Sequence, residues 1–129
     1  MRRIFVLWAA DWPVCAQQLP RHGAKVLLMQ ERPVLGGNAS SEIRMWVSGA
    51  HGRNNRETGI IEELELENHY RNPSKNYPLW DGILYDLAIS TPGVELIMNC
   101  TCTDCEMDGN RIVSVFGWQM TTQTYHTVK

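Results

Sequence analysis

The order of elements at the N-terminus constrains this chain more than any other feature. An apolar run, RRIFV, is followed by the connector LWAADWPVCAQQLP, a second apolar run, AKVLLMQ, and the pair Gly36-Gly37. Ile4 to Leu7 and Lys25 to Met29 have the length and unbroken hydrophobicity of strands buried on both faces of a parallel sheet. Parallel neighbours require a crossover, so the connector should hold a helix. It is poorly suited to one: Pro13 and Pro20 each lack a backbone N–H, and Trp8 and Trp12 stand close together. A frame of strand, connector, strand and Gly-Gly also calls for a glycine-rich phosphate loop in the connector, yet the first glycine is Gly23.

Downstream, NASSEIRMWVSGAHGRNN is polar and punctuated by glycine, which predicts a loop with one helical turn. A helix is expected from about Glu57 to Tyr70, with Ile60 and Leu64 on one stripe, Leu66 and Tyr70 on another, and an acidic outer face. A second helix is marked by Trp80, Ile83, Leu84, Leu87 and Ala88 and stopped by Thr91-Pro92-Gly93. Val94 to Met98 reads as a buried strand. Asp108-Gly109-Asn110 then supplies hairpin chemistry between two alternating runs, giving an antiparallel meander that ends in TTQTYHTVK.

Composition narrows the function. With 129 residues, 43% hydrophobic and 20% charged, the chain is of the globular class and amounts to one domain or less. Its net charge is −2 and its 12 basic residues are scattered, so nucleic acid is not an expected partner. No apolar run approaches the roughly 20 residues that cross a bilayer, and Asp11 interrupts the N-terminal run too early for a signal peptide. A cytoplasmic protein with no membrane partner is expected. Three of the four cysteines crowd into CTCTDC at 100 to 105 while Cys15 stands far off, so reduced thiols are the better reading.

Four stretches carry a resemblance: ERPVLGGNASSEIRMWVSGAHGRNNRETGIIEELELEN, YPLWDGILYDL, GVELIMNC and EMDGNRIVSV. From Arg21 to about Thr122 they resemble the N-terminal part of FAD-dependent oxidoreductases with a glutathione-reductase-type FAD domain, in the heterodisulfide-reductase-A-like branch. The resemblance implies an α/β fold: a partial Rossmann-like FAD-binding domain with parallel strands and crossover helices, then an antiparallel β-meander. It implies FAD as cofactor, a small-molecule substrate and flavin-mediated redox chemistry. A domain of this type returns to its first sheet after the meander, so residues 1 to 129 are expected to be an incomplete N-terminal part. A non-catalytic α/β fragment, or a binding module that has lost FAD, is the other reading.

In that family a carboxylate about 20 residues beyond the first loop takes the ribose hydroxyls. Counting back from Gly36 places this position on Gln30, with Glu31 next; a neutral amide can also bond a ribose, so either residue can serve. Gly36 and Gly37 are expected to face the cofactor rather than to form an ordinary turn. Asn38, Ser40 and Ser41 can cap a helix start or reach the cofactor phosphates, and both roles are compatible. Arg44, Arg53 and Arg56 can hold a substrate carboxylate or a flavin oxygen, although exposed arginines beside acidic helices are more often solvated partners. His51 sits between glycines and could exchange protons near neutral pH, but a surface histidine is the plainer reading. The glutamates at 57, 62, 63, 65 and 67 read as one wet helix face.

Cys100, Cys102 and Cys105 resemble three quarters of an iron–sulfur or zinc ligand set. On a regular strand Cys100 and Cys102 share one face and Cys105 takes the other, so packing is the expected role. Some relatives carry a 4Fe-4S cluster elsewhere; no metal site is expected from these residues.

The missing loop has an explanation in the genetic code. A two-base shift of reading frame forces glycine across Trp8 and Ala9, leucine across Asp11 and Trp12, and alanine across Trp12 and Pro13, because Trp is only TGG, Ala is GCN and Pro is CCN. With the free third bases taken as G or C, and T at Cys15, residues 7 to 19 become VGGGLAGVCAAAA. That string holds G-x-G-x-x-G in the expected place, ahead of an alanine-rich helix. The alternative is a naturally degenerate loop.

Overall fold

The structure is a computed structural model that describes residues 4–8, 14–50 and 52–129, with residues 4–8 and 14–17 as backbone alone. Three parallel strands form the first sheet: β1 (Ile4–Trp8), β2 (Lys25–Gln30) and β3 (Val94–Met98), in the order β1-β2-β3. Ile4 pairs with Lys25 and Trp8 with Met29, while Val26 pairs with Val94 and Gln30 with Met98.

The crossover from β1 to β2 is the short helix α1 (Val14–Arg21), which forms despite Pro20. Pro20 falls in the last turn, where the helix already hands over to a left-handed ending. Ala24 N–H donates to Leu19 O at 3.1 Å and Gly23 N–H to Pro20 O at 2.8 Å, with Gly23 at φ +82°, the paired bonds of a Schellman motif. Pro20 therefore does not conflict with the helix. The rest of the connector, residues 9–13, and the side chains of Leu7, Trp8 and Val14 to Gln17, lie outside the described set.

Two helices follow: α2 (Ile60–Arg71) and α3 (Tyr77–Ser90). α2 begins three residues later than its glutamates suggest, because Gly59 holds φ +68°, ψ −141°, incompatible with the helix. Glu57 therefore precedes α2 and is not on its wet face. Ile60 and Leu64 are buried as expected, but Leu66 and Tyr70 are 64% and 83% exposed, so the second stripe faces solvent. α3 is capped by Asn76, whose Oδ1 accepts from Leu79 N–H at 3.4 Å, and closed by Thr91, whose hydroxyl donates to Leu87 O at 2.7 Å.

The chain ends in the meander β4 (Cys100–Asp108), β5 (Arg111–Gln119) and β6 (Thr124–Val128), a separate antiparallel sheet in that order. β2 lies at the centre and explains its own sequence. Val26 and Leu28 pack with Leu35, Ile60, Leu64, Trp80, Ile83, Leu84 and Ala88 on the helix side. Leu27 and Met29 pack with Cys100, Ile97 and Val128 on the meander side. A strand covered on both faces has no polar side to show, hence KVLLMQ. Each such side chain taken from water adds about 1.5–3 kcal/mol.

The meander is irregular. Cys102 pairs with Gly117 but Asp104 with Phe116, so Thr103 is an extra residue in β4. The bulge reverses the alternation: Cys105 pairs with Val115 and so joins Cys100 and Cys102 on one face, contrary to the expectation from a regular strand.

Candidate functional site

In a parallel sheet of this order, ligands sit beyond the carboxyl ends of the strands. Here those ends are Trp8, Gln30 and Met98. Gln30 is 1% exposed, and its Nε2 donates to Val34 O at 2.9 Å, which ties the end of β2 to the turn that follows. Glu31 is half-buried in that turn. Arg32, next along, pairs with Glu42 at 3.1 Å.

Gly36 and Gly37 are consecutive left-handed residues, at φ +101° and +51°. They turn the chain into a short 3-10 helix, Gly37–Ala39. A side chain at 36 would be strained by its backbone and would also stand 2.6 Å from Leu84 Cδ1, so glycine here serves both turn and packing. Ala39 N–H donates to Gly36 O at 2.9 Å and Ser40 N–H to Gly37 O at 3.1 Å. Among the described residues, nothing accepts a hydrogen bond from the Gly37 or Asn38 amide. Asn38 is exposed.

Ser40 is fully buried and stands at the C-terminal cap of the 3-10 turn rather than at a helix start. Its hydroxyl donates to Gly37 O at 2.7 Å and accepts from Glu42 N–H at 3.2 Å, so it knots the loop internally. The Ser41 amide donates to Asp81 Oδ1 at 3.0 Å. Arg44 is exposed, holds φ +65°, and donates from Nε to Ser41 O at 3.2 Å. Its carbonyl accepts from the Tyr77 hydroxyl. Gln30, Glu31, Gly36, Gly37, Asn38, Ser40, Ser41 and Arg44 thus lie in one continuous stretch leading from the end of β2 onto α3. Tyr77, Asp81 and Leu84 hold it there. Sequence reasoning missed the first two, although YPLWDGIL places all three on one helix face.

Beyond Arg44 the chain is pinned by aromatic rings: Trp46 stacks on Tyr77 at 4.3 Å and meets Trp80 edge-on at 6.0 Å. It then encloses an open cavity of about 630 Å³ lined by Ser48, Arg56, Glu57, Glu62, Glu65 and His69, among others. Arg53 and Arg56 are both exposed, and His51 is outside the described residues.

The three cysteines of the meander are free thiols, and burial pushes the Cys100 thiol up, with the neighbouring Cys102 adding to it. No group of three or more His, Cys, Asp or Glu among the described residues could hold a metal ion, so a 4Fe-4S cluster does not fit them. Among those residues no helix is long and apolar enough to cross a membrane.

No curated protein matches the chain. A family model does, over residues 14–128, which takes in α1, β2, the Gly36 to Arg44 stretch, both long helices and the meander. That match covers most of the chain, and the chain belongs to the FAD dependent oxidoreductase family.

Proposed function

We propose that this chain forms the cofactor-binding part of an enzyme that moves electrons through FAD to or from a small-molecule substrate, within the heterodisulfide-reductase-A-like branch. The observation that supports this most is the stretch from Gln30 to Arg44 laid across the end of β2. Gln30, or Glu31 beside it, would take a ribose hydroxyl. The amides of Gly37 and Asn38 would meet the phosphates, with Ser40 and Ser41 shaping the loop that presents them. Arg44, exposed at the far end, would meet an anionic oxygen through the guanidinium N–H groups not bonded to Ser41 O. When bound, FAD supplies two-electron transfer; the protein binds it, orients it and keeps water from it.

The connector favours a second reading, in which the polypeptide with LWAADWPVC has lost FAD binding. Bulky side chains, a negative charge at Asp11 and the missing donor of Pro13 all oppose close approach of a pyrophosphate. On the first reading the domain continues past the meander and the enzyme is cytoplasmic. Titration with FAD, followed by quenching of flavin fluorescence, tests it. Saturable binding that weakens in Gln30→Ala and Gly37→Ala supports it. Absence of binding in a version with an intact glycine loop and the downstream segment would overturn it.

A further inference from the structure

Three residues of α3 at helical spacing meet three points of the Gly36 to Arg44 stretch. Tyr77 donates through its hydroxyl to Arg44 O, Asp81 Oδ1 accepts the Ser41 amide at 3.0 Å, and Leu84 Cδ1 fills the space against Gly36. Positions 77, 81 and 84 are i, i+4 and i+7, one stripe of the helix. They contact 44, 41 and 36 in reverse order, so the stretch runs antiparallel along α3. The spacing repeats what a rigid helix offers and a loop cannot supply for itself.

Of the three contacts, the one at Asp81 is the only one to use a charged acceptor, and it is half-buried. A carboxylate accepting a backbone N–H makes a stronger bond than a neutral pair. It also takes the Ser41 amide out of use by any ligand, whereas the Gly37 and Asn38 amides have no acceptor among the described residues. The charges nearby along the stretch are Glu42, paired with Arg32, and Arg44, turned to Ser41 O.

We propose that Asp81 is a positioning residue that fixes the Gly36 to Arg44 stretch in its cofactor-ready shape, with Tyr77 and Leu84 completing a three-point clamp. The inference rests on the reading that this stretch meets FAD, and two measurements separate the two ideas. Amide hydrogen exchange in the chain as it stands reads the clamp without any cofactor. FAD affinity in the version bearing the glycine loop and the downstream segment reads its consequence.

Asp81→Ala should speed exchange of the bonded amides from Ala39 to Met45 by about tenfold, while the amides of α2 and of the α3 interior keep their protection. FAD affinity should fall by about tenfold. Asp81→Asn, which keeps an acceptor at the same place, should restore most of both. Unchanged exchange in Asp81→Ala would overturn the clamp, whatever the cofactor does. Faster exchange with unaltered FAD affinity would overturn the positioning role. If the unsubstituted glycine-loop version binds no FAD at all, the functional reading falls and the positioning role with it, and the exchange result decides only whether the clamp exists.

Discussion

A Cβ placed on Gly117 would stand 2.8 Å from the Cys100 sulfur and 3.0 Å from that of Met29, so the meander closes over β2 at a point where residue 117 has no side chain. Gly117 is buried and its backbone is ordinary for a strand, which makes the constraint one of space alone. Gly117→Ala should therefore destabilise the fold by about 1–3 kcal/mol, the usual cost of an added methyl in a packed core. Urea unfolding measures it. Combining the change with Met29→Ala, which opens room on one side, should cost less than the sum of the two single changes.

The same contact predicts the order of thiol reactivity. Cys100 is 0% exposed, while Cys105 lies on the open part of β4. Among the three meander cysteines, a thiol reagent followed by peptide mapping should label Cys105 first, Cys102 later, and Cys100 only on unfolding. Burial raises the Cys100 thiol above its ordinary value. The unfolded chain then ionises first as pH rises through about 8.5, so the stability associated with this thiol is full below that pH and is lost above it. Cys100→Ala should flatten the alkaline decline in a pH series of denaturation curves.

What could be read from the sequence depended on whether neighbours in space were also neighbours in the chain. β2 is legible because a strand covered on both faces has to be apolar throughout, and α3 because Trp80, Ile83, Leu84 and Ala88 repeat at helical spacing toward one core. The Asp108-Gly109-Asn110 turn is legible for the same local reason: Gly109 takes φ +59° between β4 and β5. The failures were non-local. Leu66 and Tyr70 match a helical stripe, yet α2 meets the core through Ile60, Ile61 and Leu64 while those two stay exposed, so periodicity overstated burial. The bulge at Thr103, which moves Cys105 to the other face, depends on how β4 pairs with β5. In the stretch beyond β2, the Gly36-Gly37 turn could be read from its place after the strand, whereas the bond from the Ser41 amide to Asp81 could not, since its partners are 40 residues apart.

Arg21 on α1 and Glu63 on α2 form a two-bonded ion pair, at 2.9 Å and 2.5 Å. The hydrogen bonds from Arg21 hold the Glu63 carboxyl below its ordinary value. Both side chains are more than a third exposed, at 41% and 47%, so water and salt screen the pair and its contribution is small. The folded carboxyl titrates lower than the unfolded one. Its contribution is therefore present above about pH 4.3 and disappears as pH falls through the lowered value. Glu63→Gln should cost a little stability at neutral pH in low salt, and the difference should vanish in acid and in about 1 M salt. A difference that persists at high salt would point to packing instead.

The connector yields the prediction with the sharpest outcome. β1 ends at Trp8 and α1 begins at Val14, so the gap from strand to helix is the one that a G-x-G-x-x-G loop spans, with its last glycine just before the helix. The family match begins at residue 14 and leaves this gap out. If residues 7 to 19 are read out of frame, the protein made by the natural gene differs here while the sheet around it is unchanged. Trypsin releases the segment from Ile4 to Arg21 as one peptide, since no other lysine or arginine falls within it. Fragment-ion sequencing of that peptide from the natural source should show the glycine, leucine and alanine that the shifted codons force, and should lack both tryptophans. Replacing residues 7 to 19 by VGGGLAGVCAAAA should then confer FAD binding on a chain that otherwise binds weakly or not at all, once the downstream part of the domain is present. A natural peptide reading IFVLWAADWPVCAQQLPR, together with tight FAD binding by that sequence, would mean that the loop is a true variant and that the cofactor is held without close backbone approach at the first turn.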